Sequence, residues 1–187
     1  ATGMVWLATG NDLGGSLRIP ASFNGVVGLR PGPGVVARGK RLQPFDSLWV
    51  EGPMGRSVAD VALMLDAQAG HDRGDPFSFP SPKRSYSETL NSSGSPKRIA
   101  FSRDLGVVHV SKQIAEIAEN SVLKLHDAGI EVTEEIPDFN GALEAFQTLR
   151  AILLGTMMGP LLEKHRSQIA PEIVDNVERG FSVTPEL

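Results

Sequence analysis

The stretch Gly10-Asn11-Asp12-Leu13-Gly14-Gly15-Ser16-Leu17-Arg18-Ile19-Pro20-Ala21 holds the residues best placed to do chemistry. A small hydroxyl follows a glycine pair at the end of an apolar run. Adjacent glycines let successive backbone N–H groups point the same way and form a nest for negative charge. A nest beside a serine suits acyl transfer: the hydroxyl attacks a carbonyl, and the N–H groups hold the oxyanion that develops. Other glycine motifs fit less well. A phosphate-binding loop needs a terminal Gly-Lys-Ser/Thr, and no lysine precedes Lys40. Gly10, Gly14 and Gly15 lack the G-x-G-x-x-G spacing of a dinucleotide fingerprint. A nucleophile elbow needs glycine two residues either side of the serine, and Arg18 occupies one of those places. On spacing alone, a structural glycine turn with an incidental serine is an equal alternative.

The surrounding pattern predicts an ordered scaffold for this loop. Eight of the 20 glycines fall within the first 34 residues, interleaved with the apolar runs Met4-Val5-Trp6-Leu7 and Val26-Val27-Gly28-Leu29, which read as buried strands. A helix follows, capped by Ser57 with Asp60 in the capping-box position, carrying Val58, Val61, Ala62 and Leu65 on one stripe and ended by Gly70. From His71 to about Pro96 the chain is rich in Pro, Ser and Asp and reads as a surface loop. Arg98–Phe101 reads as a strand, and Ser111–Ala128 as an amphipathic helix with Ile114, Ile117, Ala118, Val122 and Leu125 facing the core. Gly129 stops that helix, and Ile130–Thr133 reads as a second strand. Strand, helix and strand in this order form a βαβ crossover with parallel strands. A helical pattern runs from Gly141, breaks near Gly159-Pro160 and resumes at Pro171. The expected organisation is a single partial domain: a core over 1–75, a surface loop over 76–96, and a βαβ and helical part over 97–187.

Composition removes several function classes. The formal charge of −4 and the lack of a basic run argue against a nucleic-acid partner. With no cysteine there is neither a disulfide framework nor a thiolate metal site. His71, His109, His126 and His165 show no i, i+4 pair of the kind that binds zinc on a helix. His126-Asp127 reads as part of a solvated helix face, His71–Asp75 as the turn after a helix, Met157-Met158 as packing and Glu134-Glu135 as a strand end. No apolar stretch reads as a membrane span. No metal, cofactor or membrane is expected.

The glycine-serine segment resembles the amidase signature, G-x-D-x-G-G-S-[IL]-R-x-P-A. Asp12, Gly14, Gly15, Ser16, Leu17, Arg18, Pro20 and Ala21 all fall on it. The likeness continues through Gly25-Val26-Val27-Gly28-Leu29-Arg30-Pro31 and Gly52-Pro53-Met54-Gly55-Arg56-Ser57-Val58-Ala59-Asp60. Three blocks in order over about the first 75 residues are more specific than any one of them. The resemblance implies an α/β fold, a mixed twisted sheet flanked by helices, incomplete in this chain. It implies a serine hydrolase that cleaves a small organic amide through an acyl-serine, in which a relay serine and a neutral lysine activate the nucleophile. Ser16 is then the nucleophile. The N–H groups of Leu13, Gly14, Gly15 and Ser16 become the oxyanion donors, and Asp12 with Arg18 a supporting pair. Asn11 departs from the family's usual Thr or Ser.

The implied lysine and relay serine belong to an upstream block, and none of the fifteen residues before Ser16 is a lysine or a serine. The chain therefore reads as an interior piece, expected to be inactive by itself and located in the cytoplasm of its cell. Its apolar runs at Val5–Leu7 and Val26–Leu29 are expected to be covered by another copy, by other pieces of the same enzyme, or by helices of the second half. Two alternatives stay open. One is a non-catalytic module in which the nest holds an anion. The other is the acyl-tRNA-directed component of an amidotransferase, although that component typically reads Ser-Ile-Arg-Gln-Pro where this chain reads Ser16-Leu17-Arg18-Ile19-Pro20.

Overall fold

The computed structural model describes residues 1–92 and 94–184. The chain divides into two compact units, one formed by Ala1–Ser92 with Thr148–Leu187 and the other by Ser93–Gln147.

The first unit is built on a three-stranded antiparallel sheet of β1 (Ala8–Asp12), β2 (Val27–Gly28) and β3 (Val50–Gly55), in the order β1-β3-β2. Ala8 pairs with Met54 and Asp12 with Val50, while Val27 pairs with Gly55. The central strand was not legible in sequence, because Gly52, Pro53 and Gly55 read as turn residues. Packing decides otherwise. A Cβ on Gly52 would lie 2.4 Å from the Leu29 carbonyl and 2.8 Å from Leu17 Cδ1. The absence of a side chain there lets Leu17 sink fully onto the sheet, where it is 0% exposed. Met4–Leu7 is not a strand. β3 ends at Gly55, so the chain before Ala8 has no pairing strand among the described residues, and Trp6 stays 82% exposed with the Arg56 guanidinium 5.6 Å from its ring centroid. The second-half helices therefore do not cover Trp6, contrary to that version of the expectation. Val26–Leu29 contributes only the two half-buried residues of β2.

Helix α1 (Arg18–Asn24) follows the Gly14-Gly15-Ser16 loop and ends at Gly25, and α2 (Val58–Gln68) follows β3. In α2, Ser57 Oγ accepts from Asp60 N at 3.1 Å and Asp60 Oδ2 accepts from Ser57 N at 3.0 Å, a complete capping box. Val61, Ala62 and Leu65 are buried, whereas Val58 is exposed. Ser57→Ala is expected to lower stability by about 1 kcal/mol, read as a shifted urea midpoint.

The stretch expected to be a loop contains α3 (Tyr86–Ser92). Its signal is a second capping box: Ser85 Oγ accepts from Glu88 N and Glu88 Oε2 from Ser85 N, while Asp66 of α2 accepts the Tyr86 and Ser87 N–H groups.

Helices α5 (Ala142–His165) and α6 (Pro171–Phe181) complete this unit from Thr148 onward, with a 3-10 turn at Arg166–Gln168 between them. The expected break at Gly159-Pro160 does not occur. Proline forfeits one helical hydrogen bond and crowds the preceding turn. Here Leu162 seats on Val174 and Val177 with Leu154 and Met158 alongside, so the packing carries the helix through. Because it runs unbroken, α5 is by length and composition also long and apolar enough to cross a membrane, where the sequence pattern suggested no span.

In the second unit, β4 (Arg98–Phe101) and β5 (Glu131–Glu134) pair in parallel around α4 (Lys112–Asp127), the expected βαβ crossover. Gly129, at φ +85°, follows the helix. Only part of the predicted apolar face turns inward. Ala115 is buried and Ala118 and Val122 are half-buried, but Ile114, Ile117 and Leu125 are exposed, since two four-residue strands cover one narrow stripe.

Candidate active site

The loop between β1 and α1 is organised by one carboxylate. Asp12 is the last residue of β1, and its side chain is fully buried. Oδ1 accepts from Gly15 N at 2.6 Å and Oδ2 from Leu17 N at 3.2 Å. Arg18 closes over the same group as a fork, Nε to Oδ2 at 2.9 Å and Nη2 to Oδ1 at 3.0 Å. Bidentate, charge-assisted bonds of this kind are the strong ones.

This arrangement explains where Ser16 stands. Its two neighbours, Gly15 and Leu17, are both buried and both donate to Asp12, so the chain between them must arch outward. Ser16 sits at the crest, exposed, with no hydrogen-bond partner for Oγ among the described residues. Gly15 adopts φ +124°, a region that L side chains rarely enter, and its Ile19 neighbour leaves no room for a Cβ. The carbonyl of Gly15 accepts from Ile19 N at 2.7 Å, which starts α1 directly behind the crest.

The four expected oxyanion donors separate into two kinds. Gly15 N–H is engaged by Asp12, whereas Leu13, Gly14 and Ser16 N–H have no protein partner among the described residues. Of the four expected donors, those of Leu13, Gly14 and Ser16 are therefore the ones left uncommitted among the described residues.

Burial alone would push the Asp12 carboxyl up. The Arg18 hydrogen bond and the Gly15 and Leu17 N–H groups outweigh it and hold the pKa at about 2. Arg18 is raised in turn, chiefly by its bond to Asp12. Asp12 stays anionic throughout the neutral range, and its charge is matched locally rather than presented to the crest.

Sequence reasoning passed over Arg30. Nη1 donates to the Asp12 carbonyl and lies 3.6 Å from Asp12 Oδ1, while Nη2 donates to the Leu48 carbonyl at 3.0 Å. Its position in the second block was the only available sign. Asp75, read as part of a surface turn, is instead buried. It accepts from Arg38 N at 2.9 Å, Phe77 N at 3.0 Å and Arg41 Nη2 at 2.8 Å, anchoring the chain between β2 and β3. His126 and Asp127 lie 3.8 Å apart on an exposed helix end in the other unit. No metal-binding cluster of acidic and histidine residues occurs among the described residues.

The Amidase family model matches residues 1–169. An acylamidase of Rhodococcus erythropolis is 36% identical over 145 residues, covering 78% of this chain and 30% of that protein. A component of the glutamyl-tRNA(Gln) amidotransferase of Pseudomonas fluorescens is 34% identical over 143 residues, covering 76% and 30%. Among solved structures, a bacterial aryl acylamidase of the amidase signature family superposes with a TM-score of 0.86 at 25% identity, over 98% of this chain and 40% of that one. A 6-aminohexanoate cyclic dimer hydrolase gives 0.83 at 27% identity, over 96% and 40%. The chain spans about 30% of the length of the curated relatives it matches. With three signature blocks, one family model over nine-tenths of its length and the same backbone course as these enzymes, the chain belongs to the amidase signature family.

Proposed function

We propose that the protein carrying this chain hydrolyses the carbon–nitrogen bond of a small organic amide through an acyl-serine formed at Ser16. The observation that carries this reading is the exposed Ser16 crest, held between two buried residues that donate to one carboxylate. Ser16 Oγ adds to the amide carbonyl, and the oxyanion takes the N–H groups of Leu13, Gly14 and Ser16. Collapse of that intermediate expels the amine, which leaves with a proton, and water then cleaves the acyl-serine to the acid. Asp12 does not exchange protons in this scheme, since its pKa of about 2 keeps it ionised. It locks the turn through the Gly15 and Leu17 N–H groups. The proton from Ser16 passes to the relay serine and lysine that the family resemblance implies, drawn from outside these 187 residues. The isolated chain is accordingly expected to show no turnover, since general-base help is worth ~10²–10⁴-fold. The acylamidase relative and the aryl acylamidase neighbour support a small-amide substrate.

A fluorophosphonate probe tests this directly. The protein carrying this chain is expected to form one adduct, on the tryptic peptide containing Ser16. A folded protein that forms none, or forms it elsewhere, leaves the non-catalytic anion-binding module as the better reading. The amidotransferase relative keeps a second reading in play, delivery of ammonia to a tRNA-linked acyl group. Ile19 stands where that enzyme typically has glutamine, which favours the stand-alone amidase. Turnover that requires acyl-tRNA would reverse this preference.

A further inference from the structure

Few side chains next to Ser16 are free to meet a ligand. Gly14 and Gly15 have none, Leu17 is buried on the sheet, and Arg18 commits its guanidinium to both Asp12 oxygens. Ile19 differs. It stands in the first turn of α1, where its N–H donates to the Gly15 carbonyl at 2.7 Å. A Cβ on Gly15 would lie 2.5 Å from Ile19 Cδ1 and 2.9 Å from Cγ1, so the isoleucine side chain rests against the glycine immediately before Ser16. Even so, Ile19 stays 54% exposed. An aliphatic surface open to water therefore lies on the loop that carries the Ser16 hydroxyl and the uncommitted Leu13, Gly14 and Ser16 N–H groups.

We infer that Ile19 is a specificity-determining residue for the hydrolysis, bearing an uncharged, apolar group of the amide beside the scissile bond. This rests on the reading of Ser16 as the nucleophile. A carbonyl carbon within bonding reach of Ser16 Oγ brings its two substituents, the acyl chain and the amine, over the residues that flank the crest. The Ile19 side chain has neither donor nor acceptor, and the nearest charges, Asp12 and Arg18, satisfy one another. A polar substituent resting there would lose water without gaining a partner, a cost that an apolar one escapes. Packing on Gly15 alone does not account for the isoleucine, because about half of its surface is in contact with none of the described residues.

The test is the selectivity of Ile19→Ala, with Ile19→Gln beside it, in the protein carrying this chain. Parent and variants are assayed on acetamide, hexanamide and acetanilide, which enlarge the acyl side and the amine side of the bond in turn. Expected for Ile19→Ala is a fall of about 10–100-fold in kcat/KM for hexanamide or acetanilide relative to acetamide, the range that a few apolar carbons in contact command. The substrate affected shows which side of the bond meets Ile19. Ile19→Gln, similar in reach but polar, should lower the same ratio. Parent-like ratios in the folded variants would overturn the inference, as would an equal fall on all three amides or a lowered urea midpoint with the ratios unmoved. A parent protein that a fluorophosphonate never labels at Ser16 would instead defeat the reading of the nucleophile, a distinguishable result.

Discussion

Ser16→Ala is expected to lower kcat/KM for amide hydrolysis by about 10⁴–10⁶-fold, the range seen when a nucleophile is removed from a serine hydrolase. Stability should change little. Ser16 is exposed and its hydroxyl has no protein partner among the described residues, so the substitution leaves no orphaned group and no cavity. The loop geometry should also survive, because it is fixed by Gly15, Leu17 and Asp12 rather than by the serine. Steady-state kinetics on an anilide, with urea unfolding on the same preparations, checks both halves. A folded variant turning over near the parent's rate would remove Ser16 from the mechanism.

Asp12→Asn should act on stability and activity together. The carboxylate takes two backbone N–H groups and a guanidinium fork, all of them donors. An amide presents one oxygen and one NH2, so one side of the group must set donor against donor. Arg18 is 55% exposed and can regain water, but Gly15 N–H cannot, since Gly15 is buried. The expected loss is about 2–4 kcal/mol at neutral pH, with hydrolysis falling as the crest loosens. The pH dependence has a definite sign. The folded pKa of about 2 lies below the usual 3.8, so the contribution is fully present above about pH 4 and is lost as pH falls through 2. It amounts to about 2 kcal/mol. The gap in urea midpoint between parent and variant should therefore be full at pH 7 and narrow below pH 4. Equal midpoints at pH 7 would show that Asp12 does not organise the loop.

Much of the local structure was legible because its causes are local. Ser57 and Asp60 announce α2 by a hydrogen-bond exchange that needs only one turn of helix, and two short strand patterns around the apolar-faced helix of Ser111–Ala128 announce the βαβ crossover. Ser85 and Glu88 carried the same capping signal for α3, masked by the prolines and serines around them. Distant causes were not legible. Pro53 and Gly52 argue against a strand until Leu17, far earlier in the chain, is seen to need the space above Gly52. Pro160 argues for a helix break until Val174 and Val177 are found holding the turns on either side. Trp6 reads as a buried strand residue, yet the sheet that would bury it ends with β3 at Gly55.

The same division holds at the site. The order and spacing of Asp12, Gly14, Gly15, Ser16 and Arg18, a hydroxyl, a glycine pair and a charge pair within seven consecutive residues, were enough to carry the resemblance to the amidase signature, although spacing alone left an incidental serine as an equal reading. Only the tertiary structure decided which N–H groups remain open, by committing Gly15 to Asp12, and which residue joins the loop to its surroundings. Arg30 lies 14 positions from Ser16, and its second partner, Leu48, lies 18 beyond it. A bond between residues so far apart exists only once β2 and β3 have paired, and no local pattern records it.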